Sequence, residues 1–99
     1  MESYVIYPDG STQPAMPKRT RPSDDGRFSI TQLQDIVDGY INIIDVPEGT
    51  LIYDDEGDVK DKPINRKATE IAMENEEFRN RRRHIAGAAL MCGHGMIRP

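Results

Sequence analysis

Eight consecutive residues, Ile85-Ala86-Gly87-Ala88-Ala89-Leu90-Met91-Cys92, carry no charge in a chain of which 30% is Asp, Glu, Lys or Arg. A continuous apolar run bounded by polar sequence suits a central strand buried on both faces, and a short buried helix would satisfy it too. As a central strand it needs neighbours on either side and cover above and below. Residues 30–92 hold the parts for both.

Two capping-box spacings, Ser29 with Gln32 and Thr31 with Gln34, precede Leu33, Ile36, Val37 and Tyr40 at i, i+3, i+4 and i+7. That pattern predicts a short amphipathic helix over residues 31–38, with Gly39 in the left-handed position just past its end. Residues 40–46 are rich in strand formers, and Pro47-Glu48-Gly49 turns them back into a strand ending at Tyr53. The acidic turn Asp54-Asp55-Glu56-Gly57-Asp58 and a weak strand around Val59 come next. Pro63 marks the entry to a second helix, expected over residues 66–82, whose thin apolar side (Ala68, Ile71, Ala72, Phe78) places it on a surface. Tyr40 and Tyr53 are expected to pack.

Ahead of this unit, Tyr4-Val5-Ile6-Tyr7 reads as a strand, and Pro8-Asp9-Gly10 as a turn. A hairpin partner over residues 11–16 is confined to the sheet edge by Pro14. Residues 17–28 read as a mobile basic loop, and residues 94–99 as a flexible tail. The expected fold is a single α+β domain over residues 1–99: a small mixed or antiparallel sheet of three to five strands with two helices packed on it.

Composition limits the function classes. Residues 1–49 carry eight acids against four bases and residues 50–99 nine of each, so the formal charge is −4. A chain with that balance gives no global attraction to polyanions, and binding of one would need a local patch. The start, Met1-Glu2-Ser3-Tyr4, lacks the basic and apolar regions of a signal peptide, and no apolar run approaches the ~20 residues of a membrane span. With Cys92 as the lone cysteine, a soluble protein of the reducing cytoplasm is expected, without membrane contact.

Some of these segments resemble a known family. Leu33-Gln34-x-x-Val37-x-Gly39-Tyr40-Ile41, then Tyr53-x-x-Glu56-Gly57, Pro63-Ile64-Asn65-Arg66-x-Ala68-Thr69 and Ile85-Ala86-Gly87 are similar, in order and spacing, to a family of small bacteriophage, plasmid and bacterial proteins classed as a domain of unknown function. The resemblance covers about two-thirds of the chain. It implies a single α+β domain and a phage or mobile-element setting, the host cytoplasm if phage-encoded. It supplies no activity, cofactor or catalytic residue. The basic loop from Lys18 to Arg27 and the Arg-rich stretch before Ile85 stand out as this chain's own.

Arg79-Asn80-Arg81-Arg82-Arg83-His84 is the strongest candidate site. Guanidinium forks can clamp phosphates or carboxylates, and cations at a helix C-terminus also offset its dipole. Lys18, Arg19 and Arg21 could join the patch. Asn65 and Arg66, inside the family pattern, could touch a ligand, with the helix cap the favoured role for Asn65. No metal is expected: the acidic turn fails the calcium-loop spacing, and Cys92, His84 and His94 are too few for structural zinc. Cys92 ends an apolar run, where a thiol is inert packing. No nucleophile–base pair, metal set or Gly-rich phosphate loop is present, so the expectation is a non-enzyme without cofactor. The favoured partner is a host protein, bound by a small accessory protein, with inhibition as one outcome; a small nucleotide-like anion is the alternative. Nucleic acid is disfavoured because neither basic segment has an aromatic stacking platform beside it. A homo-oligomer through an edge strand is also open.

Overall fold

The uncharged run supplies the middle of a five-stranded sheet. A computed structural model describes residues 3–18 and 26–97; Arg19, Arg21, the centre of the basic loop and the last two residues lie outside the described residues. The elements run β1 (Tyr4–Ile6), β2 (Thr12–Pro14), α1 (Ile30–Val37), β3 (Ile41–Val46), β4 (Gly49–Asp54), α2 (Arg66–Ala72), α3 (Glu76–Arg81) and β5 (Ala89–Cys92). The strands are ordered β2-β1-β5-β4-β3, and every neighbouring pair is antiparallel. All four residues of β5 are buried, as a strand covered on both faces requires. The fold class is therefore α+β, with an antiparallel sheet and, among the described residues, three helices rather than two.

Side-chain alternation sorts the strands into two cores. Leu33 and Val37 of α1 pack with Val5, Ile52, Leu90 and Cys92 on one face. Ala68, Ala72 and Phe78 of α2 and α3 pack with Ile6, Leu51, Tyr53, Ala89 and Met91 on the other. Helices thus cover opposite faces, so residues carried by α1 and by α3 are on opposite sides of the sheet. No helix among the described residues is long and apolar enough to cross a membrane.

Several local expectations change. The helix foreseen over residues 66–82 breaks in two: Asn75 turns extended and caps α3, its Oδ1 accepting the Phe78 amide at 3.0 Å. Asn followed by Glu76 and Glu77 is a strong start signal, and it interrupts the helix before it. At the end of α1, Asp38 takes the left-handed conformation (φ 55°) assigned to Gly39. Gly39 is needed for another reason: a Cβ there would sit 2.4 Å from the Asp54 carboxylate. Around Val59 the chain forms turns rather than a strand. Phe28, placed in the basic loop by sequence, is completely buried. Residues 94–97, read as the start of a tail, return to that core: Phe28 bridges Ile97, its amide donates to the Met96 carbonyl at 2.7 Å, and Met96 and Ile97 pack beside it.

Candidate functional site

The Arg-rich segment divides into groups that hold the scaffold and groups that do not. Arg79, in the last turn of α3, donates from Nη1 to the Met73 carbonyl at 2.8 Å, closing the gap left where α2 ends. Arg82 adopts φ 54° and ends α3. The turn it makes aims Arg83 back at the acidic loop. Its Nε and Nη2 reach the two Asp58 carboxylate oxygens at 3.2 and 2.9 Å, and Nη2 also donates to the Asp55 carbonyl at 2.7 Å. This fork holds the Asp58 carboxyl below the ordinary Asp range despite opposing burial. Arg81, Arg82 and His84 are exposed, and their side chains make no hydrogen bond or ion pair among the described residues.

This segment borders a polar cluster at the start of the β3–β4 ladder. Asn42 Nδ2 donates to the Tyr53 hydroxyl at 3.1 Å and to Asp55 Oδ1 at 3.0 Å. Burial first, and the Asp55 charge second, push the Tyr53 phenol above its ordinary value, while Arg81 and Arg83 oppose them. Arg81 is therefore within electrostatic range of Tyr53. The ring itself is buried and meets Phe78 edge to face, so it is no stacking surface. Tyr40, expected to pack, is 67% exposed instead, with the Lys60 ammonium 5.9 Å from its ring centre.

The acidic turn is occupied by cations of this chain. Asp54 is buried; Lys60 and Lys62 reach its Oδ2 at 3.1 and 2.8 Å, and the Glu56 amide donates to its Oδ1 at 3.0 Å. Burial alone would raise its pKa. The bonds from Lys62, the Glu56 amide and Lys60 outweigh that and hold the carboxyl below the ordinary range. Lys62 continues to the Val37 and Asp38 carbonyls at 3.0 and 2.7 Å, placing a cation on the C-terminus of α1. The loop is also pressed onto the strand segment: a Cβ on Gly57 would sit 2.4 Å from the Ala86 carbonyl oxygen. Among the described residues no group of three or more His, Cys, Asp or Glu could hold a metal.

Other sequence candidates fall elsewhere. Asn65 is completely buried: its Nδ2 donates to the Ile6 and Gly87 carbonyls, both at 2.9 Å, and its Oδ1 accepts the Ala68 amide at 3.1 Å. It caps α2 and joins that helix to β1 and the approach to β5, so no side-chain group is left for a ligand. Arg66 is exposed at the first position of α2. Lys18 sits over α1, its amide donating to Gln32 Oε1 at 3.0 Å, on the face opposite α3; the structure does not bring it to the Arg segment. Arg19 and Arg21 lie outside the described residues.

Cys92 is buried, with its thiol pKa raised to about 11 by desolvation. His94 Nε2 is 3.1 Å from the Val46 carbonyl. Two shallow clefts flank Tyr4, of about 310 and 340 Å³. The first is lined by Ser3, Tyr4, Thr12, Pro14 and Lys67; the second has Glu48, Glu70 and Glu74 over Ile71 and Met91. The arginines of residues 79–83 line neither.

Fold and site together define a small sheet protein covered by helices on both faces, with its acidic loop locked by internal cations and one basic segment left outward. The chain belongs to the DUF3846 family, a domain of unknown function whose family model matches residues 1–96. Neither curated proteins nor solved structures give a match.

Proposed function

We propose that this protein is a non-catalytic binding module that docks an acidic surface of a macromolecular partner through Arg81, Arg82 and His84. The observation that carries the reading is the division within one segment: Arg79 and Arg83 engage the scaffold, while the side chains of Arg81, Arg82 and His84 have no partner among the described residues. A cation held at a fixed place by its neighbours, but not itself neutralised, loses little conformational freedom on meeting a carboxylate. Among the described residues no hydroxyl or thiol is hydrogen-bonded to a histidine, which supports a binding rather than a catalytic role. A protein partner is favoured over a small anion because the arginines do not line either cleft. It is favoured over nucleic acid because the two aromatic rings beside the segment among the described residues, Tyr53 and Phe78, are both buried. The family resemblance adds a phage or mobile-element setting, with a host protein as the partner.

The test is affinity purification from nuclease-treated bacterial lysate with wild type and with the triple variant Arg81→Ala, Arg82→Ala, His84→Ala. A stoichiometric protein should co-elute with wild type and be lost from the triple variant while its melting temperature holds. A partner retained by the triple variant would sink the role given to this segment.

A further inference from the structure

The two edges of the sheet are built differently. The β2 edge is three exposed residues ending in Pro14, which lacks a donor. The β3 edge is six residues long, contains no Pro or Lys, and is paired to β4 along its whole length. The Asp55 amide donates to the Tyr40 carbonyl, so the ladder continues back to Tyr40. In an antiparallel ladder, hydrogen-bonded and non-bonded pairs alternate. Tyr40, Asn42, Ile44 and Val46 therefore face β4, and the backbones of Ile41, Ile43 and Asp45 point away from the sheet. The Asn75 side chain confirms this direction: its Nδ2 donates to the Asp45 carbonyl at 2.8 Å, closing that end of the edge. The amides and carbonyls of Ile41 and Ile43 have no partner among the described residues.

We propose that this edge is a homodimer interface, in which β3 pairs antiparallel with β3 of a second copy across a two-fold axis at Asn42. The register follows from what is left open. Among the described residues of β3, only Ile41 and Ile43 leave both amide and carbonyl open, and an axis at Asn42 sets Ile41 of each copy opposite Ile43 of the other. Both amides and both carbonyls are then satisfied without disturbing the Asn75 cap. The same register sets side chains together in apolar pairs. On the α1 face, Ile43, 41% exposed, meets the half-buried Ile41; on the α2–α3 face, Tyr40 meets the half-buried Ile44. A two-fold axis demands that one strand be complementary to itself, and this strand is. An axis one residue further, at Ile43, would instead set Asp45 against Ile41 and compete with Asn75 for the Asp45 carbonyl.

Sedimentation over a micromolar to millimolar range tests this. Wild type should sediment as a dimer at the upper end. Ile43→Pro deletes an amide that bonds nothing within the protomer, and Ile43→Lys places a charge opposite Ile41. Each should weaken the dimer by about tenfold or more with circular dichroism unchanged. Asn42→Cys, at the close non-bonded pair on the axis, should form an intermolecular disulfide on oxidation, and Ile43→Cys, set diagonally to its own copy, should not. Asn42 has internal bonds, so the Ile43 variants carry the test if Asn42→Cys fails to fold. A wild type that stays monomeric throughout, as it would if the edge received an extended segment of another protein, overturns the proposal. So does a dimer indifferent to both Ile43 substitutions.

Discussion

The carboxylates of Asp54 and Asp58 meet opposite charges inside the chain: Lys60 and Lys62 on the first, Arg83 on the second. On either side of Arg83, the side chains of Arg81, Arg82 and His84 meet none among the described residues. Both regions are rich in charge, and composition cannot tell them apart. The difference lies in burial. Asp54 sits under Gly39 and cannot be hydrated, so leaving it unpaired would cost several kcal/mol. The outward cations have water as a partner, so the fold places no demand on them. Buried polar groups in this molecule answer to the scaffold, whereas exposed ones divide: Arg79 and Arg83 are engaged, and Arg81, Arg82 and His84 are not, among the described residues.

The comparison is broken most severely at Asn65. Asn65→Ala would strand the Ile6 and Gly87 carbonyls and the Ala68 amide in the interior at once. A loss of about 4 kcal/mol is expected, given about 1–3 kcal/mol for each orphaned group and incomplete additivity. Chemical denaturation would show it. Asn65→Asp keeps the acceptor for Ala68 while losing both donors, so it should restore little of the loss. Full recovery by Asp would mean that Asn65 is a helix cap and nothing more.

Asp54→Asn comes next, with about 2–3 kcal/mol lost at neutral pH as its charge-assisted bonds to the lysines weaken. The pH dependence sharpens the contrast. A carboxyl whose native pKa is depressed contributes stability that is complete above its unfolded value, here 3.8. That contribution disappears as pH falls through the lower native value. The gap between wild type and Asp54→Asn should therefore be constant from neutral pH to mild acid, narrow as pH falls below 3.8, and close once the native carboxyl is itself protonated. Urea midpoints over that range would measure it. A gap independent of pH would place the contribution of Asp54 in packing against Gly39 rather than in its charge.

How much of this was legible follows the same division. The β3–β4 hairpin could be read because its turn chemistry, Pro47-Glu48-Gly49, lies between its own strands, and the edge position of β2 because Pro14 itself forbids an interior one. The break at Asn75 was legible in kind, since Asn-Glu-Glu is a helix start, but the helical spacing of Ala68, Ile71, Ala72 and Phe78 across it hid it. Phe28 was lost among basic residues because its partners, Met96 and Ile97, come from the far end of the chain. For the charged groups, sequence showed that residues 79–84 are basic but not which of them are committed. That depends on Asp58 meeting Arg83 across 25 residues and on Lys62 reaching Val37 across the same separation. Long-range pairing decides which charges are left over, and spacing along the chain does not encode it.

The smallest effect is the most discriminating, because it separates neighbours. Arg83→Ala removes a two-pronged contact to Asp58 and the bond to the Asp55 carbonyl, all partly exposed to solvent. About 1 kcal/mol or less is expected, since water replaces much of what is lost. Added salt should shrink it further. The double variant Arg81→Ala, Arg82→Ala removes twice the charge yet should shift stability by no more than about 0.5 kcal/mol, the usual range for surface positions away from special contacts. Arg82 sits in the left-handed region, where Ala is no better tolerated, so an Arg82→Gly control should be neutral or slightly stabilising. Parallel melts of these variants would show whether the segment divides as its contacts do. If the double variant proved as costly as Arg83→Ala, the outward cations would belong to the scaffold, and the case for their meeting a partner would lose its physical basis.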